Sequence, residues 1–168
     1  MTMPQRGNSG DVWLTPKHII DALGKFDLDP CAAPLPRPWE TASASFVEAD
    51  DGLSQEWFGR VWMNPPYGRG IGAWMKKMAE HAKEGGGGIA LVFARTDTKA
   101  WQDYVLPYAK RILFLQGRLR FHTPDGLPGK DVANAPSALI AYTIDDALAL
   151  SESGIPGWIV EPVKQLKG

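Results

Sequence analysis

The pentapeptide Ile89–Phe93, IALVF, places the tightest limit on the fold. A strand with one wet face alternates apolar and polar residues; this one does not, so the sequence predicts a strand covered on both sides. The segment before it agrees. Ile71, Trp74, Met75, Met78, Ala79 and Ala82 recur at helical spacing, with Lys76, Lys77, Glu80 and Lys83 outside, the pattern of an amphipathic helix on a core. Gly85–Gly88 joins the two. Because these glycines precede a strand and do not open a helix, they read as a connection and not as a phosphate cradle.

Other elements fall around this unit. Arg60–Met63, Arg111–Leu115 and Ala138–Tyr142 are predicted strands, and Phe26–Asp29 is a shorter one stopped by Pro30. Thr15-Pro16 opens a helix, with the Thr hydroxyl as cap and Pro in the first helical position. Ile19, Ile20 and Leu23 share its buried face, and Gly24 ends it. The prolines between Cys31 and Trp39 exclude regular structure there. A second strand before Asn64 must be short, and Ser45–Val47 is the candidate. Trp101, Tyr104, Val105 and Tyr108 mark a further helix. Past Asp145 the pattern is ambiguous, and Pro156 and Pro162 exclude one continuous terminal helix. Strands separated by helices imply an α/β fold: a mostly parallel central sheet with helices on both faces.

Composition narrows the class. The 168 residues suit one compact domain, and a 44% hydrophobic, 22% charged chain can bury a core. A single cysteine excludes a disulfide framework and any zinc site of paired cysteines. His18, His81 and His122 lack ligand spacing and read as surface residues, so no metal is expected. The longest apolar run, Ile89–Ala94, is far shorter than the ~20 residues of a membrane span. The first dozen residues hold no signal-peptide core. A flexible segment 1–12, a single domain 13–168 and a cytoplasmic location are the expectations.

The net charge of −1 excludes a uniformly basic surface. Residues 95–130, however, carry seven Lys/Arg against three Asp, whereas 131–153 carry four acids and no Lys or Arg. A nucleic-acid partner is permitted through one local face.

Asn64-Pro65-Pro66-Tyr67 carries the chemistry. In open α/β sheets ligands bind outside the carboxyl ends of the strands, and Arg60–Met63 delivers this tetrapeptide to that edge. Two prolines stiffen the chain and donate no hydrogen bond. What remains is the Asn64 side-chain oxygen and the Pro65 carbonyl, both acceptors, beside the Tyr67 ring. Two acceptors and an aromatic plate suit a planar exocyclic amine: its hydrogens are held while its nitrogen lone pair turns toward an electrophile. A strand-to-loop turn alone would also explain an Asn-Pro pair.

The wider context decides between these. Trp13-Leu-Thr-Pro16, Phe26-Asp-Leu-Asp-Pro-Cys-Ala-Ala33, Asp50-Asp-Gly-Leu53 with Trp57, Val61-Trp-Met-Asn-Pro-Pro-Tyr-Gly68, Trp74 and Gly117-Arg-Leu-Arg-Phe121 occur in that order. Over about residues 11–142 the chain resembles the phage-type DNA N6-adenine methyltransferases. The resemblance implies a Rossmann-like methyltransferase fold, S-adenosylmethionine as cofactor and transfer of its methyl group to adenine N6 in DNA. It places Thr15 and Pro16 against the methionine end of the cofactor, and Asp29, Pro30, Cys31 and Ala32 in the cofactor-binding motif. Asp50 or Asp51 would lie near its adenine or ribose. Asn64, Pro65 and Tyr67 would hold the target adenine, with Pro66 stiffening the loop. The loop after the first strand, Cys-Ala-Ala-Pro, lacks the glycines usual in methyltransferases, and no separate target-recognition domain is expected.

A base within a duplex must be flipped out to reach such a site. Arg118, Arg120, His122 and Lys130, flanking the loop Thr123–Gly129, are the candidate phosphate contacts; a solvated basic hairpin is the alternative. Rival functions are a methyltransferase acting on RNA adenine or protein glutamine, and a non-catalytic nucleic-acid-binding module of the same fold. Cys31 reads as a packing residue beside the cofactor segment, and Trp62 as sheet packing.

Overall fold

A computed structural model describes residues 12–168. The expected flexible segment 1–12 thus lies, save for Val12, outside the described residues. The helices are α1 (Lys17–Leu23), α2 (Ile71–Lys83) and α3 (Ile144–Glu152). The strands are β1 (Leu28–Asp29), β2 (Ala44–Ser45), β3 (Arg60–Met63), β4 (Gly87–Phe93), β5 (Arg111–Leu115), β6 (Ser137–Ala141) and β7 (Gly157–Val160). They form one seven-stranded sheet in the order β2-β1-β3-β4-β6-β5-β7.

The α/β class holds, but the sheet is mixed instead of mostly parallel. β2, β1, β3 and β4 pair in parallel, whereas β6 is antiparallel to both β4 and β5, and β7 is antiparallel to β5. The reason is the return of the chain after β5. It doubles back as β6 into the gap beside β4, with Ile89 opposite Ala141 and Phe93 opposite Ser137. β5 consequently runs in the same direction as β4. The carboxyl ends of β1 to β5, and every loop that leaves them, lie on one edge.

The buried run of β4 sorts its side chains to two cores, as a doubly covered strand must. Ile89, Leu91 and Phe93 join Ile19, Ile20 and Leu23 of α1 and Ala147 and Leu150 of α3. Ala90 and Val92 join Met75 and Met78 of α2 with Trp101 and Val105. Helices therefore cover both faces. Met75 and Met78 are buried, while Trp74 is half-buried and stacks on Trp57, ring centroids 6.2 Å apart.

Two local expectations need correction, and a third segment is resolved. Pro16, not Thr15, occupies the N-cap of α1, and no side chain caps that helix; the Thr15 hydroxyl faces Asn64. Trp101–Val105 forms a π turn, with Leu106 N–H donating to the Trp101 carbonyl at 3.0 Å. Pro107 has no N–H with which to continue a helix. The ambiguous tail contains α3 and β7. Thr143 caps α3 by accepting from the Asp146 N–H at 3.1 Å, and Gly154 at φ 73° turns the chain toward β7.

Among the described residues no helix is long and apolar enough to cross a membrane.

Candidate active site

Three loops of the carboxyl edge converge on Asn64. Its side chain is buried at the end of β3, 1% exposed. Nδ2 donates to the Thr15 hydroxyl at 2.8 Å, and Oδ1 accepts from the Tyr67 hydroxyl at 3.0 Å. Thr15 is itself buried just before α1, where its carbonyl accepts from the Trp39 indole at 3.2 Å. Cys31 reaches across from the loop after β1, its thiol lying 3.4 Å from the Asn64 carbonyl oxygen. As expected Cys31 is buried; in addition it ties the first loop to the third.

Asp29 ends β1 and is 2% exposed. Its carboxylate accepts from the Cys31 N–H at 3.0 Å and from the Thr41 hydroxyl at 2.5 Å. The bond to Cys31 N–H is the local turn that an Asp before Pro-Cys favours. The loop after β2 closes against the same place. Gly52 is buried, and a Cβ added to it would lie 1.9 Å from the Pro30 carbonyl oxygen. Asp50 and Asp51 directly precede that contact and are exposed. Asp50 accepts from the Val47 N–H at 2.8 Å, and Asp51 has a left-handed φ of 50°. Thr15, Asp29–Ala32, Asp50–Asp51 and Asn64 thus occupy adjoining segments of one edge.

Tyr67 is not an open plate. Its ring stacks on Phe93, which ends β4, with centroids 4.2 Å apart and planes 8° from parallel. That spacing leaves no room for a base between the two rings. Beside them lies a cavity of about 400 Å³, lined by Tyr67, Ile71, Met75, Phe93, Arg95 and Trp101, with Thr98 and Asn134 also in its wall. It is largely apolar, with aromatic walls and few polar groups, the usual make-up of a small-molecule site. Of the four motif residues only Tyr67 lines this cavity; Asn64 and Pro65 are buried and Pro66 is half-buried.

Comparison with known proteins fits this arrangement. A family model described as DNA N-6-adenine-methyltransferase (Dam) matches residues 4–147. The chain belongs to that family. A DNA N-6-adenine-methyltransferase of Escherichia phage T1 is 28% identical over 164 residues, covering 94% of this chain and 64% of the phage protein. The chain accordingly spans less than two thirds of the length of that relative.

Within this Dam-family chain the four expected phosphate contacts lie on the segment between β5 and β6, which leaves the same edge. His122 pairs through its backbone with Leu14, at 2.7 and 2.9 Å, so the segment docks beside Thr15. His122 is half-buried, not a surface residue: its ring meets Trp39 edge-on at 5.5 Å, and its Nδ1 is buried without a hydrogen bond. His81 is likewise half-buried, one ring nitrogen 2.8 Å from the Gly59 carbonyl oxygen. Arg120 donates through Nη1 to the carbonyls of Gly129 and Lys130, both at 2.7 Å, and braces its own loop. Arg118 donates to the Ala133 carbonyl at 3.4 Å, and Lys130 is exposed.

Sequence reasoning missed Phe93, Thr41 and the loop after β4 in this Dam-family site. Phe93 carried a signal, as the last residue of a buried strand at its carboxyl end. Thr41 carried none, because its partnership with Asp29 depends on how the proline-rich loop folds back.

Proposed function

We propose that this protein transfers the methyl group of S-adenosylmethionine to N6 of adenine in DNA. The observation that carries the reading is the fixed sense of the Asn64 amide. With Nδ2 committed to Thr15, Oδ1 is turned toward Tyr67, the side on which an acceptor amine would lie. An sp² oxygen has two lone pairs, so Oδ1 can accept from an amine while holding Tyr67. The backbone carbonyl of Pro65 is the second acceptor, and Pro66 keeps it in place. Sheet topology supports a Rossmann-like methyltransferase reading: five strands share one direction, and β6 is inserted between β4 and β5.

The residues on the carboxyl edge fit the cofactor. Asp29 would supply a carboxylate for its ammonium group, Thr15 and Pro16 would flank its methionine end, and Pro30, Cys31 and Ala32 would complete the site. Asp50 and Asp51, where the loop after β2 closes on Pro30, would lie toward the adenosine. When bound, the cofactor supplies an electrophilic methyl group on a positively charged sulfur. Asn64 and Pro65 accept the two amine hydrogens and so direct the nitrogen lone pair outward, while Tyr67 sets the plane of the base. Orientation and charge complementarity supply the acceleration, and no strong base is needed before attack. Extruding adenine from a duplex costs a few kcal/mol, of which stacking returns about 1–3 kcal/mol.

Mixed-sequence DNA incubated with methyl-labelled S-adenosylmethionine, then digested to nucleosides, tests the reading. Label is expected in N6-methyl-2′-deoxyadenosine, and replacement of Asn64 by Ala should abolish it while cofactor binding in calorimetry persists. Label appearing only in RNA or in protein glutamine would overturn the DNA assignment. An absence of cofactor heat would overturn the enzymatic one.

A further inference from the structure

The described arginines fall into two groups. Arg37, Arg60, Arg111, Arg118 and Arg120 each donate a side-chain hydrogen bond within the fold. Among the described residues the side chains of Arg69 and Arg95 donate none, and both are exposed. Arg95 stands at the cavity itself, and Arg69 is one residue beyond its lining. Arg95 lines it, with its guanidinium carbon 5.6 Å from the centre of the Phe93 ring. Gly68 also lines it, and Arg69 follows directly, held between Gly68 and Gly70 at the start of α2.

The surroundings favour an anion. Helix α2 begins at Ile71, which lines the cavity, and its first turn has no side-chain cap and no acidic residue. The positive end of its dipole is therefore uncompensated by the chain. The cavity itself is too apolar to hold a phosphate, whereas its Tyr67 and Phe93 walls suit a ring. A ligand with a flat apolar ring and a flanking anion matches both parts, and arginine is the side chain best shaped for phosphate.

We propose that Arg69 and Arg95 clamp the DNA phosphates on either side of the acceptor nucleotide, whose base enters from this cavity. This assignment rests on the methyltransferase reading above. It moves the principal backbone contacts from Arg118 and Arg120, which brace the β5–β6 connection, to the loops after β3 and β4.

Fluorescence anisotropy of a short labelled duplex, titrated with the 168-residue chain between about 50 and 200 mM salt, tests the clamp. Each phosphate contact contributes about 0.9 to the salt slope, or about 3.5-fold in affinity over that range. Arg69→Ala and Arg95→Ala should each flatten the slope by that amount, and the double variant by about twice as much. Arg95→Lys should keep the slope while weakening binding. Calorimetry with S-adenosylhomocysteine should give wild-type affinity for every variant, which establishes that each is folded. Lys25→Ala, at the amino edge of the sheet, controls for net charge.

Unchanged slopes in both single variants would overturn the clamp and leave the methyltransferase reading intact. An equal loss in Lys25→Ala would also overturn it. A wild-type protein that neither binds nor methylates DNA would remove the parent reading as well.

Discussion

Asn64 and Thr15, 49 residues apart in the chain, share a buried hydrogen bond of 2.8 Å between an amide nitrogen and a hydroxyl. A helix-opening motif is thereby turned into an orienting device, because the hydroxyl that could cap α1 instead decides which way the Asn64 amide faces. Thr15→Val keeps the volume and removes the acceptor. We expect a loss of about 1 kcal/mol in urea denaturation and a fall in turnover of about 10²-fold. Thr15→Ser should retain both. Wild-type turnover in Thr15→Val would show that the amide is oriented by other contacts.

Phe93 fixes the plane of Tyr67. Replacing it with Leu preserves most of the apolar volume but removes a ring pair worth about 0.5–1.5 kcal/mol beyond its buried area. Steady-state kinetics should show a higher KM for DNA and a severalfold lower kcat, with cofactor affinity unchanged. Phe93→Tyr should restore both constants. A change in KM for cofactor alone would place Phe93 outside the acceptor side.

Asp146 holds three elements together. Its carboxylate accepts from Arg60 Nε at 2.6 Å, from the Gly88 N–H at 2.6 Å and from the Thr143 hydroxyl at 2.5 Å, joining β3, β4 and α3. It is 2% exposed, whereas the Arg60 side chain is 23% exposed. Breaking a buried pair from one side costs about 3–5 kcal/mol, and the partial exposure of Arg60 points to the lower end. Asp146→Asn should therefore lower unfolding free energy by about 3 kcal/mol in denaturant titration. A loss below about 1 kcal/mol would reduce the pair to the worth of a surface bridge.

Tyr142 gives stability an alkaline limit. It is buried after β6, and burial pushes its hydroxyl well above the ordinary tyrosine value. In the folded chain it stays protonated where the unfolded chain has already released its proton. Stability should hold below about pH 10 and fall as pH rises beyond that. Thermal melts from pH 8 to 11 should show the decline, and Tyr142→Phe should make it shallower. Parallel declines in both proteins would assign it to other groups.

Much of the architecture was legible because burial writes itself into the pattern of apolar residues. The unbroken β4 run, the stripe of α2 and the four residues of β3 each appear where periodicity placed them. The reversal of β6 was not legible. A strand covered on both faces carries the same apolar residues whichever way it runs, so Ala138–Tyr142 could be located but not oriented. β7 escaped because Trp158 and Val160 face outward and leave only Ile159 as an inward signal. In the site, Asn64 and Tyr67 stood out as a motif, and Asp29 by its place at a strand end. The Phe93 stack and the roles of Arg95 and Arg120 depend on loop paths that no local spacing encodes.

The register between Ile89 and Ala141 has a consequence for dissecting the molecule. All the loops that converge on Asn64 precede β6, yet the segment that shields the flank of β4 is made some fifty residues later. A fragment ending near Lys130 would retain Asn64–Tyr67 and present β4 as a long, uncharged edge, the template on which chains aggregate. The chemistry of the amino-terminal half is thus hostage to a strand it never touches with a functional group.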